Sequence, residues 1–179
     1  MTMISACSHN KGYITVARRF EWDAMHRIPG HEGKCAAFHG HRYAMEIAVM
    51  SARLDHLGRV IDFSVIKTAL GQWIDRHFDH NAILFRGDPP VPVLNPYNLA
   101  AGKPIYLLAG MPTVENITSE IVDVAKSLLK PFDIDVVSIR IWETPNCSAM
   151  WVSPTCSPRL HCPGAGQSLA GESQPGRET

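Results

Sequence analysis

The chain has 179 residues, with 17 Lys plus Arg against 17 Asp plus Glu, so its formal net charge is zero. That length suits one domain with a full hydrophobic core and is short for two. Balanced charge offers no field for nucleic acid, and no apolar run reaches the roughly 18 residues needed to cross a bilayer, so neither is expected as a direct partner.

Residues 1–12 are expected to form a loose arm, without the basic-then-apolar pattern of a secretory signal. From Tyr13 to Arg27, apolar residues alternate with polar ones. Ile14, Val16, Phe20, Trp22, Ala24 and His26 share one face, on which Arg18 is the misfit. A second strand begins at His39, with His39, His41, Tyr43, Met45, Ile47 and Val49 on one face; Pro29, Gly30 and Gly33 turn the chain between the two. Asp62 or Ser64 then caps a helix with Val65, Ile66, Ala69, Leu70, Trp73, Ile74, His77 and Phe78 at helical spacing, closed by Asp79-His80. Residues 86–111, rich in Pro and Gly, read as a long irregular insertion. Pro112-Thr113 opens a second helix with Thr113 as N-cap. A third strand, Ile134 to Thr144, puts Val137, Ile139, Ile141 and Glu143 on one face, and a short fourth runs from Ala149 to Ser153. Residues 155–179 turn to Ser, Gly, Pro, Gln and Glu and are expected to be a disordered tail. The order β-β-α-α-β-β predicts a single α+β domain over 13–154, with two helices on one side of an antiparallel sheet.

The candidate chemistry lies at strand ends. His26 ends the first apolar face, His39 and His41 begin the second, and Glu143 ends the third. Antiparallel pairing sets the end of the first strand beside the start of the second, so the three imidazoles converge at one rim. Ionisable groups at the edge of an apolar layer need partners, and a metal serves three imidazoles at once. Three nitrogen ligands with a fourth position open is the catalytic form of a zinc site. Cys35, after Lys34 in a glycine-bearing loop, is either a fourth ligand or a thiol activated by positive surroundings. The odd count of five cysteines without C-x-x-C spacing suits a reduced cytoplasm better than a disulfide framework.

Together these residues resemble the 6-pyruvoyl-tetrahydropterin synthase superfamily. The matching pieces are His26, Cys35 and the His39-Gly40-His41-x-Tyr43 block, Asp62-Phe63, Asp79-His80, the Pro112-Thr113-x-Glu115-Asn116 stretch, and Glu143-Thr144. The spacer of Ala36, Ala37 and Phe38 between Cys35 and His39 resembles the bacterial 6-carboxy-tetrahydropterin synthases; the pyruvoyl-forming enzymes more often have a longer one.

The resemblance implies the tunnelling fold, whose sheets join into an oligomeric barrel, so a homo-oligomer (a hexamer or similar) with active sites at subunit interfaces is expected. It implies zinc held by His26, His39 and His41, Cys35 as an acid/base thiol, and Asp79 with His80 as a paired acid/base. Glu143 would anchor a pterin substrate, with Thr113 beside it. The implied reaction turns 7,8-dihydroneopterin triphosphate and water into 6-carboxy-5,6,7,8-tetrahydropterin, acetaldehyde and triphosphate, a step toward 7-deazaguanine compounds and queuosine. By charge and proximity, Arg18, Arg27, Lys34 and Arg42 are candidates for the triphosphate.

Three rival readings use the same residues. The pyruvoyl-forming enzyme shares the site. A non-catalytic zinc protein would use Cys35 as fourth ligand. A cupin would use His39, His41 and Glu46, but Glu46 has the opposite strand parity to His41 and two helices interrupt the strands.

Overall fold

The alternation in the first third of the chain produces an antiparallel pair, β1 (Thr15–His26) and β2 (His39–Met50), in unbroken register from Thr15 opposite Met50 to His26 opposite His39. The computed structural model describes residues 13–154; the arm expected at 1–12 and the tail expected at 155–179 lie outside the described residues. β5 (Asp135–Thr144) pairs with β2, and β6 (Cys147–Val152) pairs with β5, both antiparallel.

On the helical side, the Asp62 carboxylate accepts from the Ser64 backbone N–H at 2.8 Å and starts α1 (Phe63–Ile66). One π-helical turn (Lys67–Gly71) leads into α2 (Gln72–His77). Ile66, Leu70, Ile74 and Phe78 are all buried along this stretch. Further on, Thr113 caps α4 (Val114–Leu129), its side chain accepting from the Asn116 N–H at 3.4 Å. α4 turns Ile117, Ile121, Val122, Ala125 and Leu129 inward, and the same core holds Trp22, Met45, Ile47 and Ile139. Burial of each such side chain contributes on the order of 2 kcal/mol.

The 86–111 stretch expected to be irregular holds a helix, α3 (Val91–Ala100), and a strand, β4 (Tyr106–Leu108), and a further strand, β3 (Asn81–Phe85), precedes it. β3 runs parallel to the last three residues of β1, and β4 runs parallel to β3. The sheet is therefore mixed, in the order β4-β3-β1-β2-β5-β6. α3 lies on the face opposite the other helices. It packs Val91 and Leu94 with Ala82, Leu84, Ile105 and Met25, residues of opposite parity to the main core. Ile83 points into the main core, so β3 is covered on both faces, which is why it reads as a continuous apolar run rather than an alternation.

A second correction concerns β5. The register shifts between Ala48 and Val49, so Ala48 opposes Ser138 while Val49 opposes Val136. Such a bulge reverses parity on one strand. Val136 is buried and Val137 only half-buried, where strict alternation puts Val137 inside.

Candidate active site

Because β1 ends where β2 begins, His26 and His39 face each other across the ladder, and Gly40 lies opposite Met25. A Cβ on Gly40 would come within 3.2 Å of the Ala24 carbonyl oxygen, so glycine lets the strands close up between the two β2 histidines. The connecting loop is folded on itself. The Ile28 N–H donates to the Cys35 carbonyl at 2.7 Å, and Cys35 sits on a single 3-10 turn, Lys34–Ala36.

His26 is 1% exposed, and its Nδ1 donates to the Pro112 carbonyl at 2.8 Å. His39 Nδ1 donates to the Ala37 carbonyl, also at 2.8 Å. A carbonyl only accepts, so each Nδ1 carries the hydrogen, and in the neutral form of each ring Nε2 keeps a lone pair. Those two Nε2 atoms are 3.0 Å apart. Two lone pairs facing each other repel; a cation between them turns the repulsion into coordination. His41 completes the cluster, and the three residues offer ligand atoms within 4.8 Å of one another. The donor set fits a metal ion bound through three imidazoles, with carbonyls fixing two of the rings from behind.

Electrostatics agrees. Burial pushes His26 down to about 4, aided by the neighbouring His39 and His41 and opposed by the bond to Pro112. His41 is also lowered, by burial first and His39 second, against the pull of Glu143. Both rings are therefore neutral near pH 7, the form that ligates a metal.

Glu143 stands over this cluster, its Oε1 3.5 Å from His26 Nε2 and 4.0 Å from His41 Nε2. Beneath lies Tyr43, stacked on Trp22 at 5.5 Å and meeting His26 and His41 edge-on. Burial raises the Tyr43 phenol, and Glu143 and Cys35 add to that, which puts both within electrostatic reach of it. Cys35 itself is half-buried and stands outside the three-histidine cluster.

Asp79 and His80 form a separate pair. Asp79 Oδ2 accepts from His80 Nδ1 at 2.8 Å, and its Oδ1 accepts from the Asp23 N–H at 3.1 Å. Burial alone would raise the Asp79 carboxyl, but the bonds from His80 and Asp23 outweigh it and the net shift is downward. The His80 side chain is 77% exposed. It shares with His41, Arg42 and Asn98 the walls of an open cleft of about 530 Å³. A second cleft, of about 710 Å³, opens beside Glu143, His41, Trp142 and Thr144.

The structure thus joins His26, His39, His41 and Glu143, keeps Cys35 nearby, and holds Asp79-His80 across a cleft from His41. Thr113 is adjacent to Pro112, the anchor of His26. Of the basic candidates, Arg27 pairs with buried Asp88 at 3.2 Å, and Arg42 pairs with Glu21 and Asp23 at 3.1 and 3.0 Å. Arg18 lies over the Phe20 ring. Glu46 is exposed on the far side of β2 from the histidines, as parity requires. Sequence reasoning missed Tyr43 as the floor of the cluster, although its place on the histidine face was readable. It also missed Pro112, which acts through its backbone, and Lys103 and Asn98, which support the turn at His80.

Residues 15–153 match the 6-pyruvoyl tetrahydropterin synthase family. The chain belongs to that family. Among its relatives, the 6-carboxy-5,6,7,8-tetrahydropterin synthase of Rickettsia bellii is 39% identical over 135 residues, covering 75% of this chain and 96% of the relative. The protein of the same name from Rickettsia felis is 40% identical with the same coverage. An uncharacterized protein from Wolinella succinogenes has a similar structure, with TM-score 0.69 at 22% identity, covering 79% of this chain and 99% of that one. The 6-pyruvoyl tetrahydropterin synthase of Caenorhabditis elegans follows at TM-score 0.57 and 20% identity, covering 79% and 96%. These likenesses make the fold the tunnelling fold of the family, and the chain is an enzyme of the tetrahydropterin synthase type. Among the described residues no helix is long and apolar enough to cross a membrane.

Proposed function

We propose that the protein is a zinc-dependent 6-carboxy-5,6,7,8-tetrahydropterin synthase, a lyase that converts 7,8-dihydroneopterin triphosphate and water to 6-carboxy-tetrahydropterin, acetaldehyde and triphosphate. The observation that carries the reading is the pair of inward Nε2 lone pairs 3.0 Å apart, joined by His41 within reach of one ion. The Rickettsia relatives, of which the chain covers 96%, support the choice of product.

His26, His39 and His41 would hold the zinc, which when bound would supply a Lewis acid for the substrate side-chain hydroxyls and so favour loss of the proton on the adjoining carbon. Cys35 takes and returns a side-chain proton. Asp79 orients His80 through Nδ1, leaving Nε2 to exchange a proton in the cleft. Glu143 accepts the two adjacent N–H groups of the amino-pyrimidine edge, with Thr113 beside it. The enzyme works as a cytoplasmic homo-oligomer in queuosine-type 7-deazaguanine synthesis, its domain spanning 13–154. One edge of β1 supports that assembly: among the described residues, Thr15–Asp23 pair with β2 alone while β3 takes only Ala24–His26.

The test is incubation of zinc-loaded protein with dihydroneopterin triphosphate. Acetaldehyde and triphosphate released in equal amounts support the reading; triphosphate without acetaldehyde marks the pyruvoyl reaction. Cys35→Ala should retain zinc and lose turnover. Loss of zinc and folding together would point to a structural site instead.

A further inference from the structure

The turn that carries Asp79 and His80 is held from two sides. β1 grips one side: the His80 N–H donates to the Asp23 carbonyl at 2.7 Å, and the Asp23 N–H donates to Asp79 Oδ1. The other side is gripped by the segment containing α3. Lys103 Nζ donates to the Asp75 carbonyl at 2.7 Å and to the Asp79 carbonyl. The Lys103 backbone N–H donates to the Asn98 carbonyl at 3.1 Å, fixing the lysine to the end of α3. Asn98 also donates its side-chain Nδ2 to Asn81 Oδ1 at 2.8 Å, and Asn81 donates to the carbonyls of His77 and Pro104 at 2.7 and 2.9 Å.

His80 needs this support. Its φ is 51°, in the left-handed region, which costs a residue with a Cβ on the order of 1 kcal/mol. Such a conformation persists only where the surroundings over-determine it. The acceptors Asp75 and Asp79 lie in and just beyond the last turn of α2, where carbonyls lack helical partners and a cation is favourably placed. Lys103 does not line the cleft in front of His80, whereas Asn98 and Asn81 do.

We propose that Lys103 is a positioning residue for the Asp79–His80 pair: anchored on α3, its ammonium ties the carbonyls of Asp75 and Asp79 together and sets the direction from which the His80 imidazole enters the cleft shared with His41. This rests on the acid/base role proposed above for Asp79 and His80. The α3 segment is then part of the catalytic framework. Lys103 acts through the turn and touches no substrate.

The experiment compares wild type, Lys103→Met, Lys103→Arg, His80→Ala and the His80→Ala/Lys103→Met double variant, all zinc-loaded, in steady-state turnover of dihydroneopterin triphosphate. Lys103→Met should lower kcat about tenfold or more while KM stays within about twofold, the signature of a misplaced catalytic group. Lys103→Arg should recover most of the loss. In the His80→Ala background, Lys103→Met should cost nothing further. As a readout apart from turnover, the His80 ring-nitrogen NMR signals should shift in Lys103→Met at unchanged zinc content. Unchanged kcat in Lys103→Met overturns the proposal, and so does an equal fractional loss in both backgrounds, which marks a cap that only stabilises the fold. Wild-type kcat in His80→Ala brings down the acid/base reading itself and this inference with it. Should Lys103→Met fail to fold, Lys103→Gln, which removes the ammonium but keeps a polar side chain, carries the same expectations.

Discussion

Replacing His26 with Gln in the metal-free protein removes a group that the fold holds neutral. Folded His26 titrates at about 4, against an ordinary value of 6.5, chiefly because it is buried. An unfolded chain binds a proton at this residue as pH falls below 6.5, whereas the folded chain does so only near 4. The contribution is therefore complete above pH 6.5 and is lost as pH falls toward 4. The gap corresponds to about 3 kcal/mol, a large share of a typical domain's stability. His41, lowered by the same cause, changes stability in the same direction. Urea unfolding from pH 7 to pH 4.5, followed by tryptophan fluorescence, to which buried Trp22 contributes, measures this directly. The metal-free wild type should lose most of this ~3 kcal/mol over that range relative to His26→Gln, with equal m values. Parallel stability curves for the two proteins would refute the argument that His26 is held neutral by burial.

Glu143→Gln should raise KM for the pterin triphosphate roughly thirtyfold, for a charge-assisted pair worth about 2 kcal/mol, with zinc content unchanged by atomic absorption. Thr113→Ala removes the cap of α4 and should cost about 1 kcal/mol in urea unfolding. Asp88→Ala leaves Arg27 without its buried partner. Since Arg27 is 24% exposed and water can reach it, a loss of about 2 kcal/mol is expected in the same assay, below the cost of breaking a fully buried pair.

The readable parts of this chain were those where local pattern and tertiary burial coincide. The alternation of β1 and β2 puts His26, His39 and His41 on the face with Trp22 and Tyr43, and that is where they are. Asp62 and Thr113 cap their helices because short oxygen-bearing side chains satisfy free N–H groups wherever they stand. The 86–111 stretch was illegible for a physical reason. Pro92 sits in the first turn of α3, where its missing N–H costs nothing, and Pro96 forfeits only one bond inside the helix. With no charged residue from Pro89 to Gly102, nothing marks an exposed helical face. The parallel pairing of β3 with β1 joins residues far apart in sequence, and no local signal specifies it. Nor does any spacing announce that Val136 displaces Val137, because the bulge belongs to the β2–β5 pair and not to either strand alone.

The wide turn at Lys67–Gly71 has a consequence for chain length. Ile66, Leu70, Ile74 and Phe78 recur every fourth position, and on a regular helix each step would overshoot by about 40°. The i→i+5 turn takes up that excess, so all four side chains stay aimed at one layer. Phase is thereby set just before Asp79. Without the wide turn, a regular spiral of the same length would carry the end of α2 about 120° further around its axis and deliver the carboxylate–imidazole pair to the wrong side of the molecule. Dropping one residue from the turn takes back about 100° of that, so the turn is what lets the chain hold one extra residue here.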